Sequence, residues 1–307
     1  MSKIKIAVVG LGNMGKHHVK HSQSLFGAEL VAVCDTDPKR LEAIKDIAPS
    51  TPQFTDIDAM LAHSQIDLAC VVVPTSFHAK IAGKLLSKGV HVLVEKPIAS
   101  TLQEAETLIA LAKDNKKRLF VGHVEYFNPA IQAFFNHMTT HDVGHIRHIC
   151  ARRWSPMPQQ ITDANVIIDL CIHDLHILTQ LISENPIKTT WYEKSHILEA
   201  RADAATGILE FSQAAASIDA NWISSAKVRE MEIIGTMGMA KVDLLHQRVL
   251  VSSDTAPEWQ ELPIKKAWPL ETELAHVIAS LLEGTSSPID AEQGLRALAL
   301  CYPINRT

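Results

Sequence analysis

Lys3-Ile-Lys-Ile-Ala-Val-Val9 runs directly into Gly10-Leu-Gly12-Asn-Met-Gly15. The first stretch reads as a buried strand, apolar and rich in β-branched residues. The second spaces three glycines as a strand-to-helix turn needs when a dinucleotide lies against it. Gly10 makes the tight turn, Gly12 lets backbone approach a pyrophosphate, and Gly15 lets the helix pack close on the strand. Asn13 and Met14 complete the turn, and the helix amides behind it face the phosphates. A glycine turn alone is weak evidence. Here it follows a strand, opens a helix, and is answered by Asp35 at the end of the next strand, 29–34. A carboxylate at that place accepts from the adenine ribose hydroxyls and repels a 2′-phosphate, so the pattern predicts NAD rather than NADP. Lys39 and Arg40 stand near enough to soften that preference, or simply open a solvated helix face.

Outward from this turn, strands at 3–9, 29–34, 68–73, 90–94 and 118–122 alternate with helical stretches near 14–25, 38–48, 76–88 and 101–115. Alternation of this kind predicts an α/β Rossmann domain, a doubly wound parallel sheet, over residues 1–122. Asn128-Pro129 then starts a helix reaching Met138. Beyond about residue 143, strands at 146–154, 189–194, 204–211, 214–222, 228–235 and 240–245 follow one another with only one helix among them, near 164–182. Two more helices, 270–283 and 290–301, close the chain. Consecutive strands without helical crossovers predict an α+β domain over 123–307, carrying a largely antiparallel open sheet.

The bulk properties narrow the function classes. A net charge of −5 offers no electrostatic footprint for nucleic acid or for an anionic membrane surface. No apolar run approaches the roughly 20 residues that span a bilayer. Cys34, Cys70, Cys150, Cys171 and Cys301 are dispersed, as reduced cytoplasmic thiols would be. The 307 residues suffice for two domains with separate cores.

Two further stretches carry chemistry. Glu95-Lys96-Pro97 closes the strand Val90-His-Val-Leu-Val94, at the strand end where ligands of open parallel sheets bind. Proline there removes backbone freedom beside a lysine. Pro74-Thr75-Ser76 follows the preceding sheet strand and suits a loop lying over a cofactor. His78 then either contacts the nicotinamide side or is an ordinary helix-start histidine. The second stretch is the apolar helix around Val166–Leu178, on which Asn165, Asp169, His173, His176 and Gln180 recur every three or four residues as one polar stripe. Burying such groups costs several kcal/mol unless they are partnered or face a wet site. Asp169, one turn from His173, can orient the imidazole as a general base for a sugar or polyol hydroxyl, while Lys96 hydrogen-bonds the reacting oxygen. The histidines show no HExxH spacing and no cysteine cluster, so no metal is expected. His17, His18 and His21 read as a solvated helix face.

The glycine turn, Glu95-Lys96-Pro97 and Asp169-x-x-x-His173 together resemble the glucose–fructose oxidoreductase and inositol dehydrogenase (Gfo/Idh/MocA) family over nearly the whole chain. The resemblance implies an NAD-dependent oxidoreductase with Lys96, Asp169 and His173 in the catalytic positions. It also implies a cis Lys96–Pro97 bond and a homodimer or homotetramer formed through the C-terminal sheet. Glu95 joins the cofactor-binding residues with Pro74, Thr75 and His78. Within the family, Gly122-His-Val-Glu-Tyr-Phe-Asn-Pro129 and Ile168-Asp-Leu-Cys-Ile-His-Asp174 are most similar to UDP-N-acetylglucosamine 3-dehydrogenases. These oxidise the sugar C3 hydroxyl on the way to a diamino sugar of bacterial lipid A. A small-molecule sugar or nucleotide sugar is therefore the expected substrate, with Lys96, His123, Tyr126, Asn128, Arg153 and His176 as its contacts. Tyr126 and His176 depart from that group, which usually shows arginine and aspartate there. A free sugar or inositol dehydrogenase and a non-catalytic NAD(H) sensor remain the alternatives. The sensor needs only the glycines and Asp35.

Overall fold

The structure is a computed structural model describing residues 3–140, 143–158 and 164–305. The first run of elements is β1 (Ile4–Val9), α1 (Asn13–Ser24), β2 (Ala28–Cys34), α2 (Pro38–Ile44), β3 (Gln53–Phe54), α3 (Ile57–His63), β4 (Leu68–Val71), α4 (His78–Ser87), β5 (His91–Glu95), α5 (Leu102–Asp114) and β6 (Leu119–Gly122). The second is α6 (Pro129–Thr140), β7 (Ile146–Pro156), α7 (Ile172–Leu181), β8 (Lys188–Lys194), β9 (Ala204–Glu210), β10 (Ala215–Asn221), β11 (Ile223–Gly235), β12 (Gly238–Asp243), β13 (Arg248–Ser253) and β14 (Ala256–Glu261). The chain closes with α8 (Pro269–Glu283), α9 (Ala291–Leu300) and β15 (Ile304–Asn305). Among the described residues, no helix is long and apolar enough to cross a membrane.

Two compact units result. One comprises residues 1–123 with 270–295, the other 124–269 with 296–307. The first is built on a six-stranded sheet in the order β3-β2-β1-β4-β5-β6, with every pairing parallel. Its strands are mainly apolar, with both faces covered by helices, and Ile6, Ala7, Val8, Cys70 and Val92 are fully buried. The strand order reverses between β1 and β4, and ligands of such sheets bind outside the carboxyl ends at that reversal. The glycine turn and the Pro74 loop leave the sheet there.

The segment 270–295, expected in the C-terminal domain, packs with the first unit instead. Its periodicity signals helix but cannot name the sheet it covers. Val121 donates its N–H to the Ile289 carbonyl at 2.8 Å, and Arg118 reaches the Asp290 carboxylate at 2.7 Å. Leu274 and Val277 of α8 are fully buried.

The second unit holds a nine-stranded sheet in the order β14-β13-β12-β11-β7-β10-β9-β8-β15. All of its pairings are antiparallel except β7 with β10. One face alternates into the core through Ile149, Ala151 and Arg153 of β7 and through Ala216, Ile218 and Ala220 of β10.

Candidate active site

In the first unit, the turn after β1 fits a dinucleotide. Gly10 has φ +95°, and a Cβ there would strike the Val72 carbonyl oxygen, so only glycine is free of strain. A Cβ at Gly12 would meet nothing within 4 Å, leaving that backbone open to approach. Gly12 starts α1 with no side-chain cap, so the first amides of the helix remain for an anion. Asn13 and Met14 are exposed beside them. Asp35, 6% exposed, accepts the Leu11 N–H at 2.7 Å and the Asp37 N–H at 2.9 Å. Its carboxylate thus pins the glycine turn from the end of β2. The Arg40 guanidinium lies 3.4 Å from it and half exposed.

Past β5, the Lys96–Pro97 bond is cis, as expected. The turn is fastened from two helices. Nε2 of His18, on α1, lies 2.9 Å from Oε1 of Glu95. Glu95 Oε2 accepts the backbone N–H of Lys96 at 3.3 Å. On α4, His78 sets Nδ1 2.7 Å from the Pro97 carbonyl oxygen and Nε2 2.9 Å from that of Val73. Burial alone would raise the Glu95 carboxyl, but the hydrogen bond and charge of His18, with Lys96 and His78, hold it below the usual value.

His78 is 1% exposed and ties the loop after β4 to the Glu95-Lys96-Pro97 turn. His18 and His21 are buried, at 1% and 8%, and only His17 of that trio is exposed. The spacing held a clue to His18: it lies three residues after Gly15, on the helix face that must pack against the sheet.

In the second unit, Asn165 opens the catalytic-helix candidate by accepting the Ile168 N–H on its side chain at 3.0 Å. Ile167–Cys171 forms a π-helical turn, and α7 continues from it. Such turns concentrate at functional sites. Asp169 sits in this turn and His173 follows in α7, both half-buried. Asn165 and Gln180 are half-buried too, but His176 is fully buried, so the polar stripe is broken at that residue.

Close by is an ion cluster whose extent the sequence did not disclose. Arg153, 2% exposed, grips Asp174 with two hydrogen bonds, at 2.9 and 2.8 Å, and reaches Glu125 at 3.2 Å. Arg229 donates to the same Glu125 oxygen at 2.9 Å. Burial would raise the Glu125 carboxyl, but the two guanidinium groups bring it below its ordinary value. Asn128 caps α6 through the Ala130 N–H at 3.0 Å and donates to Glu125 and to the Leu244 carbonyl.

Of the expected substrate contacts, Arg153 and Asn128 hydrogen-bond within the protein, and His123 and His176 are 1% and 0% exposed. Tyr126 remains half-exposed, with its ring edge-on to His176 at 5.7 Å. The two departures from the family pattern thus touch each other.

Residues 4–123 match the model of an oxidoreductase family with an NAD-binding Rossmann fold, and residues 134–241 match the GFO/IDH/MocA C-terminal domain. The UDP-N-acetylglucosamine 3-dehydrogenase of Acidithiobacillus ferrooxidans is 28% identical over 247 residues, covering 80% of this chain and 76% of that protein. A solved structure of the UDP-N-acetylglucosamine 3-dehydrogenase from that organism gives a TM-score of 0.89 at 26% identity, over 98% of this chain and 96% of its own. Inositol 2-dehydrogenase of Rhizobium meliloti is 24% identical, over 97% of this chain and 94% of that protein. With the uncapped glycine turn, Asp35 and the cis Lys96–Pro97 turn, these matches place the chain in the GFO/IDH/MocA family of NAD-dependent dehydrogenases.

Proposed function

We propose that this dehydrogenase oxidises the C3 hydroxyl of UDP-N-acetylglucosamine to a ketone, with Lys96, Asp169 and His173 as its catalytic residues. The observation that carries the reading is Lys96, seated after cis-Pro97's strand β5 in a turn clamped from α1 and α4. A lysine held so firmly at a sheet's carboxyl edge suits a group that must meet a reacting oxygen. In this reading His173 is the general base for the hydroxyl proton, Asp169 orients its ring, and the role of the Lys96 ammonium is to stabilise developing negative charge. Bound NAD supplies the hydride acceptor. The nucleotide-sugar substrate draws support from the likeness to the Acidithiobacillus enzyme. Half-exposed Arg229, which also holds Glu125 through Nη1, is the cation we assign to its diphosphate.

The second reading, a free sugar or inositol as substrate, is favoured by the likeness to inositol 2-dehydrogenase over nearly the full chain. We also propose a cytoplasmic homodimer or homotetramer joined through the C-terminal sheet, on which Tyr192, Ile208 and Ile234 are exposed. A substrate screen following NADH absorbance decides between the readings. NADH formation with UDP-N-acetylglucosamine but not with N-acetylglucosamine or myo-inositol is the expected result. The reverse order establishes the second reading, and tight NADH binding without turnover of any candidate marks a sensor.

A further inference from the structure

The proposed reaction depends on where Lys96 stands, and beside it Glu95 is paired with His18 of α1. Glu95 is paired across the sheet with Gly122 of β6, where a Cβ would come within 3.2 Å of the Glu95 carboxyl carbon. The carboxylate therefore packs against Gly122, where a Cβ would have to displace it by a few tenths of an ångström. On its other side His18 closes at 2.9 Å, itself 1% exposed. A carboxylate only accepts, so the imidazole Nε2 is the donor. The second oxygen of Glu95 accepts the backbone N–H of Lys96.

A glutamate is a costly residue for this place. Removing its charge from water costs several kcal/mol before partners compensate. A strand end needing only packing would be better served by an apolar residue. What the carboxylate does that no apolar residue can is join α1 to the peptide group that carries Lys96.

We propose that His18 is a positioning residue for Lys96: its Nε2–H bond fixes the Glu95 carboxylate, which accepts the Lys96 N–H and so sets where the lysine side chain is rooted. The inference rests on the reading of Lys96 as a catalytic group. His78 fastens the far end of the same turn through the Pro97 carbonyl, so that losing His18 frees one end only.

The test is a double-mutant cycle in the NAD-loaded enzyme: wild type, His18→Leu, Glu95→Gln and the two combined. Two readouts are followed, single-turnover hydride transfer with UDP-N-acetylglucosamine and the rate at which acetic anhydride labels the Lys96 amine, read by mass spectrometry. His18→Leu should slow hydride transfer about ten- to a hundredfold, the scale of a small misplacement of a reacting group. NAD affinity should stay within about threefold, and His18→Gln, which keeps a donor, should recover most of the rate. The labelling rate should change by at least about threefold in each single variant, with no further change in the double, because contacting residues couple on that scale. Independent, multiplying effects, or unchanged hydride transfer and labelling in His18→Leu, overturn the proposal. Should His18→Leu not fold, His18→Asn, too short to reach Glu95, takes its place under the same criteria. If no hydride transfer occurs with this sugar, the labelling cycle alone decides. Wild-type turnover by Lys96→Ala overturns the catalytic reading of Lys96, whereas an inactive Lys96→Ala beside an unaltered His18→Leu overturns only the role of His18.

Discussion

Glu95 in the first unit, partly buried, and Glu125 in the second, buried, are both carboxylates kept ionised, and their partners differ in kind. Glu125 is gripped by Arg153 and Arg229, guanidinium groups that hold their charge at any working pH. Glu95 is surrounded by His18, Lys96 and His78, groups able to exchange protons. The difference separates a clamp from a site. The arginine cluster ties β7, α7 and the turn before α6 together, whereas the histidine cluster holds the peptide that carries Lys96.

The contrast breaks most sharply on turnover. Lys96→Ala and His173→Ala should each slow turnover by about two to four orders of magnitude, the range of positioned acid–base groups, with little change in NAD affinity. Near-normal single-turnover rates in either variant would remove that residue from the chemistry. Arg153→Met should instead act on folding. It strands Glu125 and Asp174 without their main partner, and the expected loss is about 3–5 kcal/mol in urea unfolding of the second unit. A loss below about 1 kcal/mol would mean that Arg229 and the surroundings suffice for Glu125.

Asp35→Ser sharpens the reading of the cofactor pocket. It should narrow the NAD over NADP preference by about ten- to a hundredfold, because a like charge beside the 2′-phosphate is removed. The ratio of kcat/KM for the two cofactors measures it, and a wild-type preference for NADP would refute the role of Asp35.

The smallest effect concerns a third carboxyl, Glu273 of α8. Burial, and secondarily the charge of Glu95, push it well above its ordinary value of 4.5. A group that binds its proton more tightly when folded stabilises fully below the unfolded value, and that contribution drains away as pH rises through the folded one. Glutamine mimics the protonated form. Glu273→Gln should therefore match the wild type below about pH 4 and melt about 2–4 °C higher near pH 8. Equal melting temperatures at both pH values would show that Glu273 is ionised or partnered.

Much of this was legible in the sequence where local pattern and tertiary role coincide. The apolar run into Gly10-x-Gly12-x-x-Gly15 can be little else than the first crossover of a parallel sheet. The second sheet is legible in kind, but β13, β14 and β15 lie outside the strands that the pattern gives, and in β14 residues 258–261 are all exposed and show no alternation. Segment 270–295 was legible as helix but not as part of the first unit, because that choice depends on contacts with Arg118 and Val121 distant in sequence. At Arg153 the signal was present and under-read: Ile149, Ala151 and Arg153 alternate, so the arginine had to face inward with an acid to meet it. His18 lay hidden among His17, Lys20 and His21, whose polarity suggests a solvated face. Only the position of Glu95 across the fold explains its burial.

We propose that this chain removes hydride from C3 of a nucleotide sugar with Lys96 and His173 as its acid–base groups. UDP-N-acetylglucosamine carrying deuterium at C3 tests it most directly. Incubation with NAD should yield deuterated NADH, slowed by a primary isotope effect in single turnover, with a 3-keto sugar as the other product. Deuterium retained in the sugar while NADH forms, or no NADH at all from this substrate, would contradict it.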